Sequence, residues 1–282
     1  MKEPPRRASG LLPPEGAVSG FGRPGATDGP PGIIVTDADG IRRLRIDRPG
    51  SGNALRGQDL VALAEVVERS RRDEGIRVLV ISGSGEKFFC CGSDIDELSG
   101  GVPDIGRHLS KWHDLVDAVE ASPKPVIAAI NGSAVGGGLE LALACHLRVA
   151  IASAKLGLPE VKVGLFPAAG GVRKLTRLLG ASRALDLVLS GRLLQAEAAV
   201  GLGLVNQAVP ADEHESAVEA LAQALCQLEP NVVAAVLECA HAATHGKDSN
   251  QLETDLLRSC YENPRNREVL QSFLTRPKTA RR

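Results

Sequence analysis

An α/β fold is predicted for this chain of 282 residues by three observations. Short β-branched runs alternate with segments of helical periodicity through the first part of the sequence. Glycine-rich turns close the predicted strands, and beyond about residue 180 the pattern becomes almost wholly helical. Strands alternating with helices imply parallel pairing through right-handed crossovers.

The elements follow in order. Residues 1–32 are crowded with Pro and Gly and hold few large apolar groups. Such a segment buries too little surface to offset its ordering entropy, so it is expected to be a disordered leader. Residues 33–36 and 41–46 flank Asp37-Ala-Asp-Gly40, a hairpin signal with Gly at the turn. Leu60, Leu63, Ala64 and Val67 fall at i, i+3, i+4 and i+7 and make one helical stripe, with Gly75 as its expected stop. A strand over 78–82, a helix over 112–121, a strand over 125–131, a helix over 137–145 and a strand over 147–152 come next. Residues 100–111, between them, read as a loop that shapes a pocket. Helices over 182–190, 196–201, 211–228 and 231–245 complete the pattern. The change of character places a boundary near residue 195, between an α/β core over 33–195 and a helical region over 196–282. No repeat has the identity of a solenoid.

Composition narrows the function classes. A formal charge of −1 offers no general attraction to nucleic acid or to an anionic membrane. Aromatic content of 2% removes the stacking platform that single-stranded nucleic acid uses. The cysteines at 90, 91, 145, 226, 239 and 260 form neither CxxC pairs nor a disulfide framework, so buried thiols and no metal site are expected. No apolar run approaches a membrane span and the N-terminus lacks a signal-peptide pattern, which makes the cytoplasm the expected compartment. The mitochondrial matrix is the alternative for a eukaryotic source.

Three motifs carry chemistry. Gly136-Gly137-Gly138 immediately precedes an apolar helix, whose unpaired N–H groups and positive dipole end suit an oxyanion. A turn that merely permits close packing is the competing reading. GxGxxG falls only at Gly20-Phe-Gly-Arg-Pro-Gly25, in the Pro/Gly-rich leader with no predicted strand before it, and GxxxxGK[ST] does not occur. Glu140 follows within Leu139–Leu143, where an unpaired buried carboxylate is costly unless it serves a purpose. Glu160, in Gly157-Leu-Pro-Glu160, has the weaker individual claim because a Pro-Glu turn is commonly solvated. Two carboxylates in one site allow one to act as base while the other holds a proton. Finally, Phe89-Cys90-Cys91-Gly92-Ser93-Asp94-Ile95 follows a predicted strand, a usual place for ligand contact. Asp94 is also placed to cap the next helix. Nothing in the sequence lowers the pKa of Cys91, which argues against a thiolate nucleophile.

These landmarks, in order, resemble the crotonase (enoyl-CoA hydratase/isomerase) superfamily. Arg48-Pro49 with Asn53-Ala54-Leu55 resembles its early RP…NAL segment, and Phe89–Ile95 resembles its FxAGAD[LI] loop. The run from Lys124 to Gly132 precedes the Gly triplet as in the family, and Pro159-Glu160, Gly164, Pro167, Gly170-Gly171 and Leu175 complete the likeness. It covers about residues 33–275.

The resemblance implies a spiral of ββα units followed by a helical region that forms trimers, often paired into hexamers. It implies an acyl-CoA thioester as substrate, with no separate cofactor, because coenzyme A is part of the substrate. The thioester oxygen would sit between the backbone N–H groups of Ser93 and Gly137. Substrate and coenzyme contacts would fall on Ala54, Leu55, Cys91, Gly92, Asp94, Ile95, Gly136 and Pro159. Glu140 and Glu160 align with both carboxylates of the hydratase site, which implies water addition across the 2,3 double bond of a trans-2-enoyl-CoA. Glu140 is then assigned to activating water and Glu160 to protonating C2, with the opposite split, or one glutamate doing both jobs, left open. An isomerase or a biosynthetic dehydratase is the alternative within the superfamily. An RNA- or protein-binding module on the same scaffold is the alternative outside enzymology, and the mixed charges over 56–73 argue against it. The sequence departs from the family at Cys91 and Ser93, at Asp96 where many hydratases carry Lys, at Ala168-Ala169, and at His146, which stands for a structural Asp and is expected to be a packing variant.

Overall fold

The computed structural model describes residues 26–27, 32–98 and 105–275. Two sheets and a shell of helices are built by three repeats of one unit. The entry is a hairpin: β1 (Ala26–Thr27) pairs with β2 (Ile33–Ala38), which turns through Asp39 and Gly40 into β3 (Ile41–Ile46). Both turn residues have positive φ, 53° and 78°, the backbone of a two-residue hairpin turn. The expected leader therefore includes one short strand. Apart from that strand and Gly32, it lies outside the described residues.

Helix α1 (Gly57–Arg72) bears the expected stripe, with Leu60, Leu63 and Val67 fully buried. Gly75 does not end it. The stop is at Asp73, whose backbone is extended and whose Oδ1 accepts the Gly75 N–H at 3.1 Å. A side-chain turn thus replaces the expected left-handed glycine.

The repeat then begins. Strands β4 (Val78–Gly83) and β5 (Phe88–Cys90) lead through α2 (Ile95–Leu98) to α3 (Ile105–Glu120). Strands β6 (Val126–Ile130) and β7 (Ser133–Val135) lead to α4 (Gly137–Ala144), and β8 (Leu147–Ile151) and β9 (Lys155–Gly157) to α5 (Gly171–Leu179). The first strand of each unit joins the large sheet and the second joins the small one. Residues 105–111, read as loop from sequence, are the opening turns of α3. Their polar composition follows from exposure of Ile105, Gly106 and Arg107 rather than from an irregular backbone.

After α6 (Ala181–Ser190), β10 (Leu194–Gln195), α7 (Ala196–Gly201) and β11 (Gln207–Val209), three longer helices follow: α8 (His214–Cys226), α9 (Pro230–Thr244) and α10 (Asn250–Glu262). Helix α11 (Pro264–Thr275) ends the described chain. The large sheet runs β1-β2-β3-β4-β6-β8-β11, parallel from β3 onward, and the small one runs β10-β9-β7-β5. Packing does not break where the composition changes near residue 195. Strand β10 pairs with β9, β11 with β8, and α8 covers the outer face of the large sheet.

That cover explains the apolar strands. Along β4, Val78 and Val80 face α8 through Val218 and Ala222, while Leu79 and Ile81 join the inner core with Leu63, Phe89 and Leu115. A strand buried on both faces needs a continuous apolar run rather than alternation. With Phe89 the one aromatic among the largest fully buried side chains, aliphatic residues fill the interior.

Arg148 holds the far end of α4. It is 8% exposed, and its guanidinium donates to Leu204 O at 2.9 Å, Cys145 O at 2.5 Å and Ala142 O at 3.4 Å. Two of these carbonyls close the C-terminal turn of the helix, where a cation is favoured. Arg148→Met is expected to destabilise the protein by about 3 kcal/mol in urea unfolding, because buried carbonyls lose their donor. A change below about 0.5 kcal/mol contradicts this account.

Candidate active site

Three of the four strands of the small sheet end two or three residues before a site residue predicted from sequence. Strand β5 ends at Cys90, three residues before Ser93; β7 ends at Val135, two before Gly137; β9 ends at Gly157, three before Glu160. Because β5, β7 and β9 run parallel, these loops emerge from one sheet edge, the usual site of ligand contact in α/β proteins.

Two backbone donors meet there. Leu55 and Ser93 form an isolated parallel bridge in which the Leu55 N–H donates to Gly92 O at 2.8 Å and the Asp94 N–H donates to Leu55 O at 3.0 Å. Leu55 thus engages both neighbours of Ser93, and the alternation of an extended strand turns the Ser93 N–H the other way. Gly136, with φ 57° and ψ −133°, caps α4 and presents the Gly137 N–H as the first of the helix. Neither N–H has a hydrogen-bond acceptor among the described residues. The two loops touch: a Cβ on Gly92 would stand 2.8 Å from Gly137 N, and φ of 98° at Gly92 is open to glycine at little cost. Close packing is also a reason for the triplet, since a Cβ on Gly138 would collide with Cys90 O. Both readings of the glycines therefore hold, at different members of the three.

The carboxylates face the same corner. Glu140, in the first turn of α4, is 3% exposed, and its Oε1 accepts the Gly171 N–H at 2.7 Å. Burial pushes its carboxyl up to about 7, against the pull of the Gly171 and Ala169 amides, and the charge of Glu160 pushes the same way. Glu160 is not a solvated turn residue. It opens a 3₁₀ turn, Glu160–Val163, its pKa is raised by burial, and its Oε2 is buried without a partner among the described residues. Its Oε1 would be 3.0 Å from a Cβ on Gly136, the residue that caps the helix bearing Glu140. The bare Cα of Gly136 leaves this carboxylate room beside the Gly137 N–H.

The enoyl-CoA hydratase/isomerase family model matches residues 36–280. The chain belongs to that family. It is 36% identical over 242 residues to a "Probable enoyl-CoA hydratase" of Bacillus subtilis strain 168, covering 83% of this chain and 92% of that one. It is 34% identical over 255 residues to crotonyl-CoA hydratase of Syntrophomonas wolfei, covering 87% and 96%. The crystal structure of enoyl-CoA hydratase from Bacillus anthracis superposes with a TM-score of 0.81 at 32% identity, over 86% of this chain and 95% of that chain. The fold is the crotonase fold, and the family acts on acyl-CoA thioesters.

For an enoyl-CoA hydratase/isomerase site, the other residues expected from sequence divide by what holds them. Ala54 and Leu55 are buried, and Leu55 meets the Ser93 loop through backbone in the Leu55–Ser93 bridge, while Ala54 O accepts from Arg48 Nη1 at 2.5 Å. Asp94 is committed to structure: Oδ2 accepts from Arg48 Nη1 at 2.7 Å and Oδ1 from the Asp96 N–H at 3.1 Å, which confirms its capping role. Ile95 is 76% exposed at the start of α2, and Pro159 caps the Glu160 turn. The Cys91 thiol donates to Gly52 O at 3.0 Å, and burial raises its pKa, so it stays a thiol. His146 accepts the Val126 N–H on Nδ1 at 2.9 Å and is driven down to about 4 by burial, a neutral packing group.

Four residues take roles in the site that sequence reasoning did not assign, although it named Gly171 as a landmark and Ala169 as a departure. Gly171 and Ala169 supply amides to Glu140 from the start of α5 and the preceding loop. His108 and Trp112, one helical turn apart on α3, both reach the hydroxyl of Ser93. The chain holds a single Trp, and that was the one available signal. Among the described residues no group of three or more His, Cys, Asp and Glu is placed to hold a metal. No single described helix is long and apolar enough to cross a membrane.

Proposed function

We propose that the protein is an enoyl-CoA hydratase, adding water reversibly across the 2,3 double bond of a trans-2-enoyl-CoA to give the 3-hydroxyacyl-CoA. The observation that carries this reading is the pair of buried carboxylates at Glu140 and Glu160 beside two backbone N–H groups that lack acceptors among the described residues. Hydration moves two protons, one off the water that attacks C3 and one onto C2. The site therefore needs one ionised and one protonated carboxyl at once. In this reading the Ser93 and Gly137 N–H groups stabilise the enolate-like oxygen as charge builds at the thioester. In this reading the Gly171 and Ala169 amides orient Glu140 to take the proton from water, and Glu160 delivers a proton to C2.

Burial raises both carboxyls, Glu140 to about 7, so protons on the pair are held into the neutral range. Turnover is expected to fall on the alkaline side as the last proton leaves, and on the acid side as the second one binds.

Loss of the enoyl-thioester absorbance of crotonyl-CoA tests the activity directly, with product analysis against a 3-enoyl-CoA to separate hydration from isomerisation. Glu160→Gln is expected to lower kcat by about 100-fold or more with KM little changed, since a proton transfer is removed and binding is not. Full hydration activity in that variant would sink the proposal.

A homotrimer, or a hexamer of two trimers, is part of the same reading. Helices α10 and α11 bury none of their residues, and Leu257, Tyr261, Val269 and Phe273 on them are 71%, 63%, 50% and 44% exposed. Apolar groups at that density are covered in a stable soluble protein. Sedimentation equilibrium of the intact chain distinguishes trimer and hexamer from monomer. The cytoplasm, or the matrix in a eukaryote, is the compartment proposed with it.

A further inference from the structure

We propose that Ser93 and His108 form a nucleophile–base pair that hydrolyses acyl-CoA thioesters, a second activity at the same oxyanion hole. The inference rests on the oxyanion hole assigned above but uses neither glutamate. Ser93 Oγ lies 3.0 Å from His108 Nε2 and 2.8 Å from Trp112 Nε1. An indole N–H only donates, so Oγ accepts from Trp112 and keeps its own proton to give. With the Nδ1-protonated tautomer of His108, Nε2 is the acceptor for that proton. Trp112 itself packs against the start of α4: a Cβ on Gly137 would stand 2.9 Å from its ring. Trp112 thus links the Ser93 hydroxyl to the start of α4, where the Gly137 N–H lies.

The arrangement matches what acyl transfer requires. In chymotrypsin-type hydrolases one residue offers both the attacking oxygen and an oxyanion-hole N–H, with a histidine in hydrogen-bond reach. Here Ser93 has both, and its N–H has no acceptor among the described residues. Burial holds His108 below the ordinary histidine pKa, so the ring is neutral, and able to accept, at pH 7. Glu97 on α2 raises its proton affinity and Lys111 on α3 lowers it, and burial outweighs both. A serine serving only as filler would need one partner for its hydroxyl; this one has two nitrogen groups from adjacent turns of α3.

The step balances without any further reactant. The Ser93 Oγ–C bond forms at the thioester carbonyl as its proton passes to His108 Nε2. The C–S bond then breaks, and the proton leaves with the departing sulfur as free coenzyme A. Water attacks the acyl-serine, giving its proton to His108, and the C–O bond breaks to release a carboxylic acid and restore the serine.

A saturated thioester such as butyryl-CoA separates the two activities, because it has no double bond to hydrate. With the intact protein, free coenzyme A and butyric acid are expected in equal amounts by chromatography, and acid-quenched protein carries a butyryl mass on the peptide containing Ser93. His108→Gln is expected to cut this release about 100-fold, and Ser93→Ala to abolish the acyl mass. His108→Gly with added imidazole is expected to regain release, a rescue that a purely structural histidine would not show. Release no faster than in buffer overturns the proposal, as does release that persists in His108→Gln. Absence of hydration in the wild-type protein would instead overturn the hydratase reading, and it leaves the coenzyme A measurement to decide this one.

Discussion

Glutamine in place of Glu140 is expected to lower kcat for enoyl-CoA hydration by about 10³-fold or more while making the folded protein more stable at pH 8. Both effects have one cause. Glu140 is 3% exposed, and its carboxyl is pushed up to about 7 because the interior disfavours its charge. The folded chain therefore binds this proton more tightly than the unfolded chain does. The stabilising contribution of the protonated form is complete below the ordinary value of 4.5 and is lost as pH rises through about 7. Glutamine does not titrate, and its side-chain oxygen can still accept the Gly171 N–H. The stability difference between variant and wild type should widen by on the order of 3 kcal/mol between about pH 4 and about pH 8, because each tenfold gain in proton affinity on folding is worth about 1.4 kcal/mol. Urea unfolding at the two pH values measures it. An equal difference at both would mean that the buried charge is not what the fold tolerates for the sake of turnover.

Gly92→Ala should reduce hydration by about 100- to 1000-fold with both glutamates intact, the loss expected when one oxyanion donor is misplaced. Two strains coincide at this residue. Its φ of 98° is rarely adopted by a residue with a side chain, and the added Cβ would stand 2.8 Å from Gly137 N. Relief must come from separating the two loops, which moves the Ser93 and Gly137 donors apart. Gly203→Ala provides the control: φ is 75° there, and nothing lies within 4 Å of an added Cβ. It imposes similar backbone strain far from the hole, so it should lower stability by about 1 kcal/mol and leave turnover unchanged. If the two variants lose stability alike and both keep full turnover, the hole does not depend on the contact between the loops.

The main strands, most of the long helices and the site motifs were legible because each is a local pattern. Leu60, Leu63 and Val67 need only helical spacing to declare a buried stripe, and Asp39-Gly40 needs only its own backbone preference to turn a hairpin. The small sheet was not legible. Strands of three residues such as Phe88–Cys90 and Ser133–Val135 carry too few alternations to show a period, and they exist because main-chain groups pair across the units. The individual bounds of α10 and α11, inside the region expected to be helical, escaped for the opposite reason. Their apolar residues are exposed in the single chain, so they read as no simple core-facing face. Glu160 looked solvated because a Pro-Glu turn alone is exposed, and only packing against Gly136 and the core raised its pKa.

The amino-acid sequence by itself determined the α/β class, the family, and which glycines and carboxylates are the candidates for the chemistry, since those depend on residue type at a fixed spacing. Tertiary structure decided how those residues act together. It alone seats Ser93 against His108 and Trp112, brings Gly92 to Gly137, and aims the Gly171 amide at Glu140. It also decides the protonation of the pair, because a carboxyl's pKa is set by the water removed from around it and the charges left nearby. Those are properties of the space into which the chain closes, and no local stretch of sequence contains them.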